Sequence, residues 1–596
     1  MPDSKRLLIR FLKWRYKHIS NKALISIAIA VIGLLTGLVA VTIKNLTHFI
    51  QELLEGEFIR EIHNGFYFIF PIIGLFLVLL SIKYIVKKPV EPGIPSTLYA
   101  ISKLKGLMPR RMMWASLLTA PLTVGFGGSV GLEGPTVATG ASIGSNFSRL
   151  FHLNQTTRTL LIGAAAAGTM SSIFKAPIAA IVFAVEIFSL ELTLASMIPL
   201  LLASITAVLT SYFFFGDDVL LHFQVQDKFH LYDVSFYIFL GVATSIVSIY
   251  FSKVYFGVGN FFKRFENPYK RLLIGGILLG TVVYFIPPLF GEGFVTINNV
   301  LKGNIDAVVR NNIFHTVTDN IWVVVSLLAG LVLFKVVAMS FTVGAGGIGG
   351  VFAPTLFTGS VFGYLTAIII NNSNLFSHQL SSTNFAMVGM AGLMAGVLHA
   401  PLTAIFLIAE ITGGYELFVP LMIVSSISFL IAKRYIPHNI YAAELAKRGQ
   451  LITHDKDNNV LMMLDLKKII ETNFIVLTPE MKLGDILKNA VTKSSRNHFP
   501  VVNEEREFLG VIRLDDIRHI MFDTTIYDKV KASDLMHADA GIIDIDKDNA
   551  QVIMKKFKTT GAWNLPVIKK GKYFGYISKS RLLTAYRRKL IHVTNT

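Results

Sequence analysis

Uncharged apolar runs of roughly 20 residues or more recur along the chain, at Leu24 to Ile43, Gly65 to Ile82, Leu192 to Gly216, Leu272 to Gly291 and Val336 to Phe376. Each is long enough to cross bilayer hydrocarbon. A soluble core has no need of so many, so the pattern predicts an all-α polytopic membrane domain. From about residue 446 the long runs stop and charged residues alternate with short Val/Ile/Leu segments, which predicts a soluble α/β module. The expected organisation is a basic N-terminus over 1–22, a membrane domain over 23–445 and a soluble tail over 446–596.

Three glycine- and proline-rich breaks interrupt the apolar regions. They are Glu91-Pro92-Gly93-Ile94-Pro95-Ser96, Gly127-Gly128-Ser129-Val130-Gly131-Leu132-Glu133-Gly134-Pro135, and the segment from Gly344 to Pro354 that holds Gly350, Val351 and Phe352. Hydrocarbon offers no water to loose backbone groups, so such breaks are tolerable only where they are buried in protein or line a wet cavity. Pro135 suits the first turn of a helix, because its missing N–H would have been unpaired there. A helix start at this break presents free N–H groups and the positive end of the helix dipole, which attract an anion. Glu133 can mimic or repel that anion.

The breaks belong to an internal repeat. With an offset of 219, Gly127, Gly128, Gly131, Pro135, Thr136 and Gly140 fall on Gly346, Gly347, Gly350, Pro354, Thr355 and Gly359. With an offset of 224, Ala176, Pro177, Ala180, Glu186 and Ile187 fall on Ala400, Pro401, Ala404, Glu410 and Ile411. The halves are expected over about 23–220 and 235–440, related by inverted topology, with a transport site near the midplane where broken helices meet. In this register Glu133 corresponds to Phe352.

Charge adds orientation. The net charge is +18, and residues 1–22 carry Lys5, Arg6, Arg10, Lys13, Arg15, Lys17 and Lys22 against Asp3 alone. Basic residues flanking apolar spans favour the cytoplasmic side, so both termini are expected there, in the plasma or inner membrane. Because the charge flanks spans, it argues against a nucleic-acid partner. Zero cysteines exclude disulfides, thiolate metal sites and thiol catalysis.

These residues carry a resemblance to the CLC family of chloride channels and proton-coupled chloride exchangers. Gly131-Leu-Glu-Gly-Pro135 resembles its Gly-Arg/Lys-Glu-Gly-Pro motif, Gly350-Val-Phe-Ala-Pro354 its Gly-x-Phe-x-Pro motif, and Glu91-Pro-Gly-Ile-Pro95 its Gly-Ser-Gly-Ile-Pro motif, with Tyr441 at the place of the pore tyrosine. The resemblance implies a homodimer with one anion pathway per subunit. It makes Glu133 the gate, and it places Leu132, Gly134, Val351, Phe352, Tyr441, Pro92 and Gly93 around the anion. Dipoles rather than full cations would replace hydration, so that an ion can also leave.

Two departures from the family pattern bear on function. Pro92 stands where the family has serine, removing a hydroxyl and an N–H; family members with proline here tend to favour nitrate, so the resemblance implies nitrate as a candidate substrate beside chloride. In the helix whose paired glutamates end with the family's inner proton acceptor, Glu186 takes the first place and Ile187 the second. An aliphatic side chain cannot carry a proton. A passive gated channel is therefore expected ahead of the alternative, a proton-coupled exchanger in which Glu133 and Glu186, or Glu191, form the proton route. Glu186 and Glu410 follow Ala-Pro at equal spacing, which suits hydrogen bonding to helix ends.

In the tail, Asn497 to Val502, Phe508 to Ile512 and a helix from about Asp515 are echoed by Asn564 to Ile568, Phe574 to Ile577 and a helix from about Ser580. The pair resembles tandem CBS domains, which often bind adenine nucleotides. Asp516 stands at the ribose-binding place of the first unit and Ser578 at the serine of the second, but Arg513 and Arg581 replace their partners, so each half-site is incomplete. No cofactor is required by this reading beyond a possible adenine nucleotide. A CBS-regulated divalent-cation transporter would need clustered carboxylates or carbonyls, and the acids in the spans are scattered. No nucleophile–base pair or metal-ligand cluster suggests an enzyme.

Overall fold

The computed structural model describes residues 20–54, 66–90, 93–191, 193–216, 229–309, 320–373, 379–413, 415–447, 466–538 and 541–594, with residues 17, 18, 461 and 464 besides. Pro92, Glu91 and most of the basic N-terminus lie outside the described residues. The chain divides into two compact units, Met1–Arg448 and Gly449–Thr596.

Among the described residues the regular elements of the first unit are helices. Its first half runs α1 (Asn21–Leu54), α2 (Phe66–Leu80), α3 (Gly93–Lys103), α4 (Ala115–Gly125), α5 (Glu133–Leu150), α6 (Gln155–Phe174), α7 (Pro177–Phe188) and α8 (Leu194–Phe215). Its second half runs α9 (Val234–Phe262), α10 (Pro268–Phe285), α11 (Phe294–Leu301), α12 (Ile321–Gly344), α13 (Phe352–Asn372), α14 (Ser382–Leu398), α15 (Pro401–Ile411), α16 (Phe418–Tyr435) and the short α17 (Ala443–Lys447). Among the described residues, seven helices are long and apolar enough to cross a membrane.

The repeat read from the residues is present element by element. α5 and α13 start 219 residues apart, and α7 and α15, like α8 and α16, start 224 apart. Backbone detail repeats too: α6 and α14 end in left-handed caps at Lys175 (φ 53°) and His399 (φ 55°), followed by Ala-Pro starts. In the first half α5 lies on α6, α6 on α8 and α8 on α1; in the second α13 lies on α14, α14 on α16 and α16 on α9. α5 and α13 are rich in Gly, Ala, Ser and Thr and are buried on nearly all sides. Small residues let such helices approach closely, and close van der Waals packing is the main attraction between helices where lipid removes the hydrophobic drive. Ile198, Leu209 and Leu430 are exposed on the outer helices α8 and α16, as apolar residues in contact with hydrocarbon can be.

The second unit holds two small sheets. β1 (His498–Val502) and β2 (Phe508–Arg513) form an antiparallel pair with His498 opposite Arg513, followed by a helical turn, α18 (Leu514–Ile517). β3 (Ile543–Asp544) runs parallel to β4 (Asn564–Lys569), which pairs antiparallel with β5 (Lys572–Ser578); α19 (Ala550–Thr560) and α20 (Lys579–Thr594) complete this half. Each half has its own apolar core, around Phe499, Val501 and Ile512 in one and Phe557, Leu565 and Ile577 in the other. The strand–turn–strand–helix order is the one expected of a CBS pair.

Candidate functional site

The centre of the membrane unit is a meeting of helix starts. Gly131 and Gly350, repeat-mates, form a two-bond antiparallel bridge: the Gly131 N–H donates to the Gly350 carbonyl at 2.9 Å and the Gly350 N–H to the Gly131 carbonyl at 2.7 Å. This reciprocal pairing places a pseudo-two-fold axis between the first residues of α5 and α13. A Cβ on Gly134 would stand 3.1 Å from the Gly350 Cα, and one on Gly93 would meet the Gly134 carbonyl, so α3 joins the same point. Only residues without a side chain allow three backbones this close. The chain reaches the bridge through left-handed glycines, Gly127 (φ 93°) and Gly346 (φ 101°), also repeat-mates.

At this point the halves differ. Phe352, fully buried, turns its ring onto Phe174 (centroids 5.2 Å apart) and Phe183 (6.3 Å), leaving the first-turn N–H groups of Val351 and Phe352 with no acceptor within the helix. Glu133 is 1% exposed, and its two carboxylate oxygens complete no hydrogen bond of good geometry, although its own N–H and that of Ala353 at the start of α13 are near enough to act on them. Its carboxylate folds back over Gly131, where any Cβ would collide with it and stand 3.0 Å from the Ala353 Cβ of the other half. Tyr441 is buried, its hydroxyl is likewise unpartnered, and it lies within electrostatic reach of Glu133. Asn439 fixes the Tyr441 turn, donating to the Leu398 carbonyl at 2.9 Å and accepting from the Ala442 N–H at 2.8 Å. Unpaired buried polar groups are costly unless something else satisfies them. A carboxylate and a phenol gathered at converging N–H donors fit a small anion that exchanges places with the carboxylate.

The N–H of Leu132, one of the residues the resemblance places around the anion, donates at 2.9 Å to the Glu292 carboxylate. Glu292 sits in the Gly291-Glu292-Gly293 turn before α11, and the turn is held by Lys335, a fully buried lysine on α12 whose Nζ donates to the Gly291 carbonyl at 2.9 Å. Lys335 also stands over the Phe357 ring, 4.7 Å from its centroid. Neither residue stood out in the motif reading. A lone acid between two glycines and a lone cation inside an apolar helix were the available signals, since ionisable residues inside membranes mark function by default.

Glu186 takes the helix-end role. Its carboxylate accepts from the Leu402 N–H (3.0 Å), the Thr403 N–H (2.8 Å) and the Thr403 hydroxyl (2.6 Å) at the start of α15. Glu410 returns the arrangement, accepting from the Ile178 and Ala179 N–H groups (3.0 and 2.7 Å) at the start of α7. The repeat-mates cap each other's helices. Ile187 is buried, and His399, the left-handed cap after α14, lays its ring edge-on to Phe429 at 5.8 Å.

In the tail, the Asp516 carboxylate caps its own helical turn through the Arg513 N–H at 2.8 Å. Ser578 donates to Glu471 at 3.3 Å, and Glu471, 7% exposed, also pairs with Arg496 (2.5 Å) and Arg581 (3.4 Å). The polar groups at the second half-site are thus bound to one another.

Paired, glycine-bridged helix starts with a buried free carboxylate between them, in a duplicated membrane unit, define an anion-transport protein. The chain belongs to the voltage gated chloride channel family, whose model matches residues 73–433, and the CBS domain model matches residues 466–523. It is 28% identical over 382 residues to a putative chloride channel protein ClcB-like of Ralstonia nicotianae, covering 63% of this chain and 85% of that one. It is 27% identical over 450 residues to the H(+)/Cl(−) exchange transporter ClcA of Vibrio campbellii, covering 73% and 91%. Among solved structures, a eukaryotic CLC transporter aligns over 94% of this chain and 97% of its own at TM-score 0.58 and 17% identity. A slow cyanobacterial Cl−/H+ antiporter aligns over 71% and 97% at TM-score 0.58 and 22% identity. The fold is therefore the CLC fold with a C-terminal CBS region, and the protein is a multi-pass membrane transporter or channel rather than an enzyme.

Proposed function

We propose that this protein carries chloride, with nitrate as a second substrate, through the meeting point of α3, α5 and α13, and that Glu133 is the gate. The observation that carries this reading is the Glu133 carboxylate, buried beside the start of α13 with both oxygens unpartnered. In that place it competes with an anion for the same donors; protonated and withdrawn, it leaves them to the anion. Val351 and Phe352 supply backbone N–H groups, Gly93 and Gly134 allow the close approach, and Tyr441 closes the opposite side. Pro92, adjoining Gly93, is assigned to selectivity, and its resemblance to the proline of nitrate-favouring family members supports nitrate as a substrate.

Passive conduction is the preferred mode. Ile187 supplies no proton-carrying group, and both Glu186 oxygens are engaged at the start of α15. The second reading, proton-coupled exchange, is favoured by the Vibrio relative, which is named an exchanger. Vesicles distinguish them: an imposed chloride gradient that drives protons uphill establishes exchange, whereas chloride efflux with no proton movement establishes a channel. We assign both termini to the cytoplasmic side and the working form to a homodimer, in keeping with the basic flanks and the exposed apolar faces of α8 and α16. The CBS pair is assigned a structural part, because Glu471 already binds Ser578 and Arg581 at the position an adenine nucleotide would need.

A further inference from the structure

Leu132 stands where the resemblance calls for a basic residue, and its N–H is taken by a carboxylate 160 residues away in sequence. The contact is a charge-assisted hydrogen bond of the kind an anion itself would make with a helix start. A narrow cleft opens beside it, lined by Lys44 of α1, Leu132, Thr136, Ser172, Lys175 and Glu292. Lys44 and Lys335 are near enough to act on the Glu292 charge, and Glu292 on that of Glu133. Lys175, also on the cleft, donates to the Gly216 carbonyl at 2.6 Å and stands over the Tyr212 ring. Two cations and a partly buried carboxylate thus line the same cleft, and the second carboxylate, buried and without a hydrogen-bond partner, lies within electrostatic reach of the first.

We propose that Glu292 is an outer plug: it occupies the Leu132 N–H as an anion would, and an anion arriving through this cleft displaces it before meeting Glu133. The inference rests on the anion-transport reading above and adds a specificity-determining residue to it. Two carboxylates thus stand in series, Glu292 on the Leu132 N–H and Glu133 beside the start of α13. The Lys335 anchor holds the Gly291-Glu292-Gly293 turn in place while the side chain swings, so displacement needs only side-chain rotation.

The test is chloride efflux from liposomes containing the purified full-length protein, titrated with chloride. Glu292→Gln keeps the size of the side chain and an acceptor for the Leu132 N–H but loses the charge. A neutral acceptor holds an N–H about half as strongly, so the half-saturating chloride concentration is expected to fall about five-fold, a difference of roughly 1 kcal/mol. A residue that only packs the turn predicts no change for this variant, and an unchanged half-saturation overturns the proposal. Glu292→Asp, which retains the charge but is too short to reach Leu132, shifts the value in the same direction and carries the test if the glutamine variant does not fold. If folded wild-type protein passes no anion at all, the transport reading itself fails, an outcome distinct from a wild type that conducts and a Glu292→Gln variant that behaves like it.

Discussion

The starts of α5 and α13 are the same backbone device built twice, and they differ in what they carry. Both arrive through a left-handed glycine, bridge at Gly131 and Gly350, and continue as helices of small buried residues. At the first helical position one has Glu133 and the other Phe352. Geometry that can bind an anion is therefore symmetric at these two starts, while of the two residues only Glu133 carries charge that can exclude one. Duplication can supply a scaffold for conduction, and gating then requires that the copies diverge at the site while their packing is kept.

The strongest way to break the comparison is to destroy what the halves share. A Cβ at position 350 would stand 2.9 Å from the Gly134 nitrogen. Gly350→Val should therefore overpack the centre, lower stability by about 2–3 kcal/mol and bring anion flux to background, read by thermal unfolding and vesicle efflux together. A stable Gly350→Val protein with normal flux would show that the bridge is not where ions pass.

Next in size come the reciprocal caps. Each of Glu186→Ala and Glu410→Ala leaves two helix-start N–H groups without their charged acceptor, expected to cost about 2 kcal/mol apiece. Equal losses in denaturation, with flux per folded molecule unchanged, are the signature of a purely structural pair. If Glu186→Gln alone abolishes proton movement, the symmetry is only apparent and Glu186 is a relay. Glu410→Gln serves as the control.

The smallest effect is expected on the aromatic side. Phe352, proposed to give its backbone N–H to the pathway, packs its ring on Phe174 and Phe183. Phe352→Leu should cost about 1 kcal/mol of stability and change flux by less than a few-fold. A large change in the chloride-to-nitrate ratio would instead make the ring part of the selectivity barrier.

Much of this arrangement was legible in the residues. The breaks, their Gly-Pro chemistry and their two fixed offsets located the helix starts of α5, α7, α13 and α15, because glycine and proline act locally. Spans fared less evenly. The run from Val336 to Phe376 is two helices, α12 and α13, separated by the break, and α9 and α16 were not singled out because tyrosine, lysine and serine dilute their apolar character. What could not be read was contact between distant segments. Nothing near Leu132 announces that Glu292 takes its N–H, and the exchange of caps between Glu186 and Glu410 exists only because α7 lies on α15. In the tail, strand order followed from Val/Ile alternation, whereas the Glu471 ion pairs that occupy Ser578 and Arg581 join residues about 110 positions apart.

The central claim, that one carboxylate in one half sets when anions pass, meets its most direct test in chloride efflux from liposomes bearing wild-type or Glu133→Gln protein at several pH values. Protonation removes the charge with which Glu133 competes with an anion for the helix-start N–H groups, so wild-type flux should rise as pH falls. The glutamine variant, which cannot ionise, should conduct at every pH with most of that dependence gone. A folded Glu133→Gln protein that passes no chloride, or one whose pH response matches wild type, would contradict the account.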